Sequence, residues 1–205
     1  MNTIRFADRT LTPSKVVCIG RNYVEHIEEL GNEVPENMVV FNKPNSAVTD
    51  TLTYHGAECR FEGEICLLIE NGGIAGIGFG LDLTHADIQN RLKAKGLPWE
   101  RAKAFDGSAV LSDFVPFDGD ITRLAFAMRI NGELIQHATY DLMMYKPAEM
   151  IEEINRFMTL EDGDILMTGT PKGVGYYAPG DRFEAVVTCA EAPLLACEWV
   201  AVEPA

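Results

Sequence analysis

Basic residues are scarce in this chain. Its 205 residues carry 17 Lys and Arg against 31 Asp and Glu, a formal net charge of −14. The few cations form no run, which excludes the footprint of a nucleic-acid binder. Long hydrophobic runs are also missing. No apolar stretch approaches the roughly 20 residues that a spanning helix needs, so no membrane partner is expected. Residues 2–13 are polar and charged, without the apolar run of a secretion signal. Five cysteines, Cys18, Cys59, Cys66, Cys189 and Cys197, are an odd set at no metal-ligand spacing. This argues against a disulfide framework and for free thiols in a reducing cytoplasm. Nucleotide motifs fail as well. Lys172 in the glycine-rich stretch 168–175 is followed by Gly, and Gly72–Gly80 does not open a helix, so no organic cofactor is expected.

What is present is an ordinary globular composition, 47% hydrophobic and 23% charged, long enough for one substantial core. A single domain over residues 1–205 is expected, with two small ones as the alternative. Short apolar strands are predicted at 15–19, 38–41, 58–69, 74–79, 125–130, 133–136 and 165–167, with further short strands over 180–202. Asn71-Gly72-Gly73 and Asn131-Gly132 read as hairpin turns. Helices are predicted at 24–30, at 85–95 with Thr84 as its cap and Asp87 completing a capping box, and from Pro147 to 157. Residues 99–108 read as irregular, tied to the core by Trp99 and Phe105. Regular βαβ alternation is missing, which leaves an α+β fold dominated by a curled mixed sheet.

The stretch Phe61-Glu62-Gly63-Glu64-Ile65 organises the chemistry. Carboxylates at i and i+2 on a strand share a face. Such a like-charged pair is unfavourable beside a core strand unless a cation lies between them. The turn at residues 71–73 returns the chain so that Asp82 can meet Glu62 and Glu64. Three carboxylates without histidine or cysteine at useful spacing suit a hard divalent ion and disfavour zinc. A solvent-facing acidic edge is the plain alternative. His26 and Glu29 are i and i+3 on the predicted helix, a possible base for activating water or simply a surface pair. Lys103 can hold an oxyanion, Arg21 can clamp a carboxylate, and Thr170 with its loop can offer donors to one. Each is otherwise an ordinary surface or turn residue. His85 and His137 read as surface residues, and His55 has no evident partner.

Gly20-Arg21-Asn22-Tyr23 with His26 and Glu29, Glu62-x-Glu64, Asp82-Leu83-Thr84-x-x-Asp87-x-Gln89 and Thr168-Gly169-Thr170-Pro171-x-Gly173-Val174-Gly175 occur in this order. Together they resemble the fumarylacetoacetate hydrolase family over about residues 14–187, with 1–13 as an N-terminal extension. Residues 95–99 before Lys103 resemble its small acylpyruvate hydrolase and oxaloacetate-processing branch. The resemblance implies a β-rich roll of the family's C-terminal-domain type and one Mg²⁺ or Mn²⁺ per subunit on Glu62, Glu64 and Asp82. It implies catalytic roles for His26, Glu29 and Lys103, and substrate contacts from Arg21, Asn22, Lys43, Gln89 and Thr170. It also implies a homodimer acting on a small anionic 2-oxo or β-diketo acid. Hydrolysis of acylpyruvates to pyruvate and a carboxylate is the expected reaction, because both His26 and Glu29 are retained. Oxaloacetate decarboxylation or tautomerisation, or isomerisation of a dioate, is the alternative, and a non-enzymatic carboxylate binder is disfavoured. The chain departs from the family pattern at Arg60-Phe61 and at His85-Ala86, which bears on substrate choice.

Overall fold

The computed structural model describes residues 1–29 and 36–204, apart from the side chains of residues 26–28. A small hairpin of β1 (Ile4–Phe6) and β2 (Arg9–Leu11) opens the chain. β3 (Lys15–Gly20) leads into α1 (Val24–Glu29), and β4 (Val39–Pro44) and β5 (Val48–Thr49) follow. The acidic segment is carried by β6 (Cys59–Phe61), β7 (Gly63–Glu70), β8 (Gly73–Asp82) and β9 (Thr84–His85). Next come α2 (Ala86–Ala94), α3 (Glu100–Lys103), β10 (Ala109–Leu111) and β11 (Val115–Pro116). The hairpin β12 (Leu124–Ile130) and β13 (Glu133–Thr139) precedes α4 (Pro147–Asn155). β14 (Ile165–Met167), β15 (Gly175–Tyr176), β16 (Arg182–Cys189) and β17 (Ala192–Val200) end the series.

One mixed sheet runs in the order β4-β3-β14-β7-β8-β10-β5, with β11 added on β8. Within it β14 is parallel to β3 and β10 to β5, while the remaining pairs are antiparallel. A second, antiparallel sheet has the order β13-β12-β16-β17, and β15-β6-β9 form a small third one. The architecture is the α+β fold expected, a curled mixed sheet with a few short helices.

β7 is buried on both faces, which is why its sequence does not alternate. Ile65, Leu67 and Ile69 join Phe79, Phe126 and Phe183 in the larger core. Cys66 and Leu68 join Cys18, Phe114, Ile165 and Met167 in the other. Full burial of each such Ile or Leu is worth roughly 1.5–3 kcal/mol, so β7 is a rigid mount for the carboxylate it carries near its start.

Five expectations need correction. The strand predicted over 58–69 is interrupted at Glu62, where the chain leaves the β15-β6-β9 sheet for the main one. Thr84 does not cap α2, since His85 occupies that position without a side-chain capping bond. Thr84 Oγ1 instead donates to Glu62 Oε1 at 2.9 Å, because a buried carboxylate needs the donor more than a helix end that water can reach. Residues 99–108 contain the short helix α3, and α4 stops at Asn155 rather than 157. His85 is half-buried on the Phe105 ring at 4.2 Å, where His55 also packs at 4.9 Å. The cysteines are free, as expected. Among the described residues no helix is long and apolar enough to cross a membrane.

Candidate metal centre

The antiparallel register of β7 and β8 sets Gly63 opposite Leu81 and Glu64 opposite Gly80. One step further along, Asp82 N donates to Glu62 O at 2.9 Å. The pairing brings one oxygen from each of Glu62, Glu64 and Asp82 within 4.8 Å of the others, and all three residues are buried. Gly63 between the two glutamates leaves room for Gln136. Its N–H donates to Gln136 Oε1 at 3.0 Å, and a Cβ in its place would stand 2.6 Å from that oxygen.

Burial, and then the charges of Asp82 and Glu62, push the Glu64 carboxyl well above the usual carboxylate range. Against this act Lys103 and the Gly169 N–H, which donates to Glu64 Oε2 at 2.6 Å. Gly169 has φ +94°, and a Cβ there would lie 2.7 Å from Asn22 Cβ, so only glycine delivers this donor.

Two lysines enter the cluster. Lys103 Nζ donates to Glu62 Oε2 at 3.0 Å and to Asp82 Oδ2 at 2.5 Å. Burial works against its ammonium, but Asp82 and Glu62 outweigh that effect and raise its pKa above the ordinary lysine value. Lys43, fully buried, pairs with Asp82 Oδ1 at 2.7 Å and donates to Leu83 O at 3.2 Å and to Lys103 O. A cavity of about 400 Å³ opens beside Lys103, walled by Phe41, Asn42, Leu97, Pro98 and Trp99.

The other predicted residues are distributed around this centre. Asn22 is buried and its amide serves the backbone, donating to Tyr145 O (3.1 Å) and Thr168 O (2.8 Å) and accepting from Tyr145 N (2.7 Å). It thereby fastens the turn after β3 to the glycine-rich loop. Thr170 Oγ1 donates to Gly63 O at 3.0 Å and accepts from Gln136 Nε2 at 2.8 Å, so the loop is tied to the metal-site strand. Gln89 is buried on α2. Arg21 adopts φ 57°, a left-handed conformation that few non-glycine residues take, where the chain turns from β3 towards α1. Glu29 accepts from Gly173 N through both oxygens, at 3.0 and 3.2 Å. His26 belongs to α1, but its side chain lies outside the described residues. Sequence reasoning missed Thr84, Gln136 and the Gly169 amide as supports of the carboxylates. The nearest signal was the threonine two residues after Asp82.

The family pattern described as fumarylacetoacetate (FAA) hydrolase C-terminal matches residues 15–194. The chain belongs to the fumarylacetoacetate hydrolase family. Oxaloacetate tautomerase YcgM of Escherichia coli is 40% identical over 188 residues, covering 82% of this chain and 86% of the relative. A crystal structure of a putative fumarylacetoacetate isomerase/hydrolase from Oleispira antarctica superposes with a TM-score of 0.92 at 32% identity, covering 98% of this chain and 100% of that one. Fumarylpyruvate hydrolase of Pseudomonas aeruginosa, solved with Mn²⁺ and pyruvate, gives 0.88 at 29% identity, covering 99% and 96%. The tautomerase, at the higher identity, backs the oxaloacetate alternative better than the hydrolase backs the acylpyruvate reading.

The residues present fit a divalent cation. Three buried carboxylates face two ammonium groups, leaving one net negative charge when all are ionised. A divalent ion converts that deficit to one net positive charge, and the all-oxygen donor set suits a hard cation. The protein is a metal-dependent enzyme of the fumarylacetoacetate hydrolase family that acts on a small carboxylate substrate.

Proposed function

We propose that this enzyme interconverts the keto and enol forms of oxaloacetate, with Mg²⁺ or Mn²⁺ held by Glu62, Glu64 and Asp82. The observation that carries the reading is the 40% identity to an oxaloacetate tautomerase over most of both chains. The bound cation supplies a Lewis acid that makes the hydrogen beside the 2-oxo group easier to remove. Lys103 Nζ, positioned by Glu62 and Asp82, stabilises the negative charge that gathers on the 2-oxo oxygen as C3 loses its proton. Lys43 holds the Asp82 carboxylate in place through its 2.7 Å ion pair, and Arg21, Gln89 and Thr170 orient the substrate. Asn22 holds the turn that carries Arg21. Glu29, fixed by Gly173 N, and His26 move the proton, taking it from C3 and returning it to oxygen. The proposal includes one catalytic domain per chain and a homodimer.

Acylpyruvate hydrolysis is the second reading. It is favoured by the Glu29 carboxylate anchored beside the glycine-rich loop, a placement suited to orienting a base for water, and by the likeness to a fumarylpyruvate hydrolase.

The test follows oxaloacetate enol absorbance with the Mg²⁺- or Mn²⁺-loaded protein, alongside acetylpyruvate cleavage and CO₂ release, with Glu64→Gln as control. Metal-dependent tautomerisation that is lost in the control is expected. Rapid acetylpyruvate cleavage, abolished by His26→Ala, without accelerated tautomerisation would replace this reading with the hydrolase.

A further inference from the structure

In a chain with 31 acidic and 17 basic residues, further basic side chains gather beside Glu62 that the account above leaves without a task. Arg60 ends its side chain at Nη2, 4.0 Å from Glu62 Oε1 and beyond hydrogen-bond reach. Its side chain is only 11% exposed, and its buried Nε has no hydrogen-bond partner among the described residues. The strand register sets Arg60 opposite Thr84, whose hydroxyl already serves that same Glu62 oxygen.

Lys93 reaches the same region from α2. Ala86, Gln89 and Lys93 follow one another at helical spacing along one face, and the first two are buried. Lys93 Nζ lies 5.3 Å over the Trp99 ring, a wall of the cavity that also borders Lys103. Among the described residues no carboxylate lies within ion-pair distance of Lys93. The charges that act on it are those of Arg21, Glu62, Lys103 and Arg60, of which only Glu62 is attractive. Burial first, and then these like charges, lower its pKa to about 8. Cations crowded into a half-buried place are unfavourable unless an anion joins them.

We propose that Arg60 and Lys93 together bind the substrate carboxylate remote from the metal centre, so that the site selects 2-oxo dicarboxylates over 2-oxo monocarboxylates. The proposal deepens the oxaloacetate reading and rests on it for the placement of the substrate's other end. Arg60 supplies a planar fork from β6 and Lys93 a point charge from α2.

The test compares malate with lactate, a pair that differs by the remote carboxylate alone, by calorimetric titration of the Mg²⁺-loaded protein. The wild type is expected to prefer malate by tenfold or more, the scale of one charge-assisted contact. Lys93→Met and Arg60→Met should each weaken malate about tenfold while leaving lactate within about twofold. Lys93→Arg should retain the preference. Lys93 is half-exposed, so its variants carry the test if Arg60→Met fails to fold. Equal losses for both ligands, no loss for either, or no malate preference in the wild type would overturn the proposal. A Lys93-dependent preference in a protein that does not tautomerise oxaloacetate would uphold it while removing the function proposed above.

Discussion

Lys43 offers the sharpest test of how the metal centre is held together. Lys43→Met keeps the length of the buried chain but removes the ammonium that pairs with Asp82 Oδ1 at 2.7 Å and donates to Leu83 O and Lys103 O. Breaking a buried ion pair from one side costs about 3–5 kcal/mol, here because Asp82 Oδ1 and the Leu83 and Lys103 carbonyls all lose their donor although Lys103 still pairs with Asp82 Oδ2. For a chain of this size each kcal/mol moves Tm by about 2–4 °C, so a fall of roughly 6–20 °C is expected in chelator. The same ammonium repels an incoming cation. Its loss therefore strengthens Mg²⁺ binding, and the Mg²⁺-induced rise in Tm should be larger in Lys43→Met than in the wild type. Scanning calorimetry of both proteins, with chelator and with saturating Mg²⁺, measures the four values needed. A fall of less than about 2 °C in chelator would refute the ion-pair reasoning. An equal or smaller Mg²⁺ shift in the variant would show that Lys43 and the cation do not share Asp82.

Mg²⁺ or Mn²⁺ at about a hundred times its Kd should stabilise the wild type by about 2.7 kcal/mol, or roughly 5–10 °C in Tm. Asp82→Asn should abolish that shift, and a wild-type melt insensitive to either ion contradicts the site. Thr84→Val removes the 2.9 Å hydrogen bond to Glu62. It should cost about 1.5–3 kcal/mol and weaken cation affinity about 10–100-fold by calorimetric titration, while Thr84→Ser retains both. The raised pKa of Glu64 predicts opposite pH trends with and without metal. Folding raises this carboxyl's affinity for its proton, so the metal-free protein gains from Glu64 below the ordinary carboxylate pKa. It loses that contribution as pH rises towards the folded value. Protons compete with the cation at the same oxygens, so Mg²⁺ affinity should fall as pH drops through the raised Glu64 range. Denaturant melts and metal titrations across that range check both signs.

The carboxylate trio was legible because its geometry is local. An i, i+2 pair, a hairpin turn at 71–73 and a return strand suffice to bring Asp82 back to Glu62 and Glu64. The hairpin at Asn131-Gly132 was legible for the same reason. The interruption at Glu62 was not, because it depends on β6 pairing with β9 and β15, and β15 lies far along the chain. Thr84 illustrates a competition that local rules cannot settle. A threonine before a helix is a cap by propensity, yet a buried carboxylate within reach claims the hydroxyl. The resemblance gives Lys43 a substrate contact, and only the fold shows that Asp82 and the Lys103 carbonyl converge on it.

Net charge was a poor guide to the site for a related reason. An overall −14 suits a dispersed acidic surface and says nothing about local fields. At the centre, Lys43 and Lys103 come within one charge of balancing the trio, and at its edge Lys93 feels the charges of both Arg21 and Arg60. A divalent cation added to this set makes the whole region positive inside an acidic protein. An anionic substrate is then repelled by most of the surface and attracted at one place, where Lys103 already stands within hydrogen-bond reach of two of the metal-site carboxylates. Five of the 17 Lys and Arg, namely Arg21, Lys43, Arg60, Lys93 and Lys103, lie at or beside the centre, so the local field there departs from the acidic average of the chain.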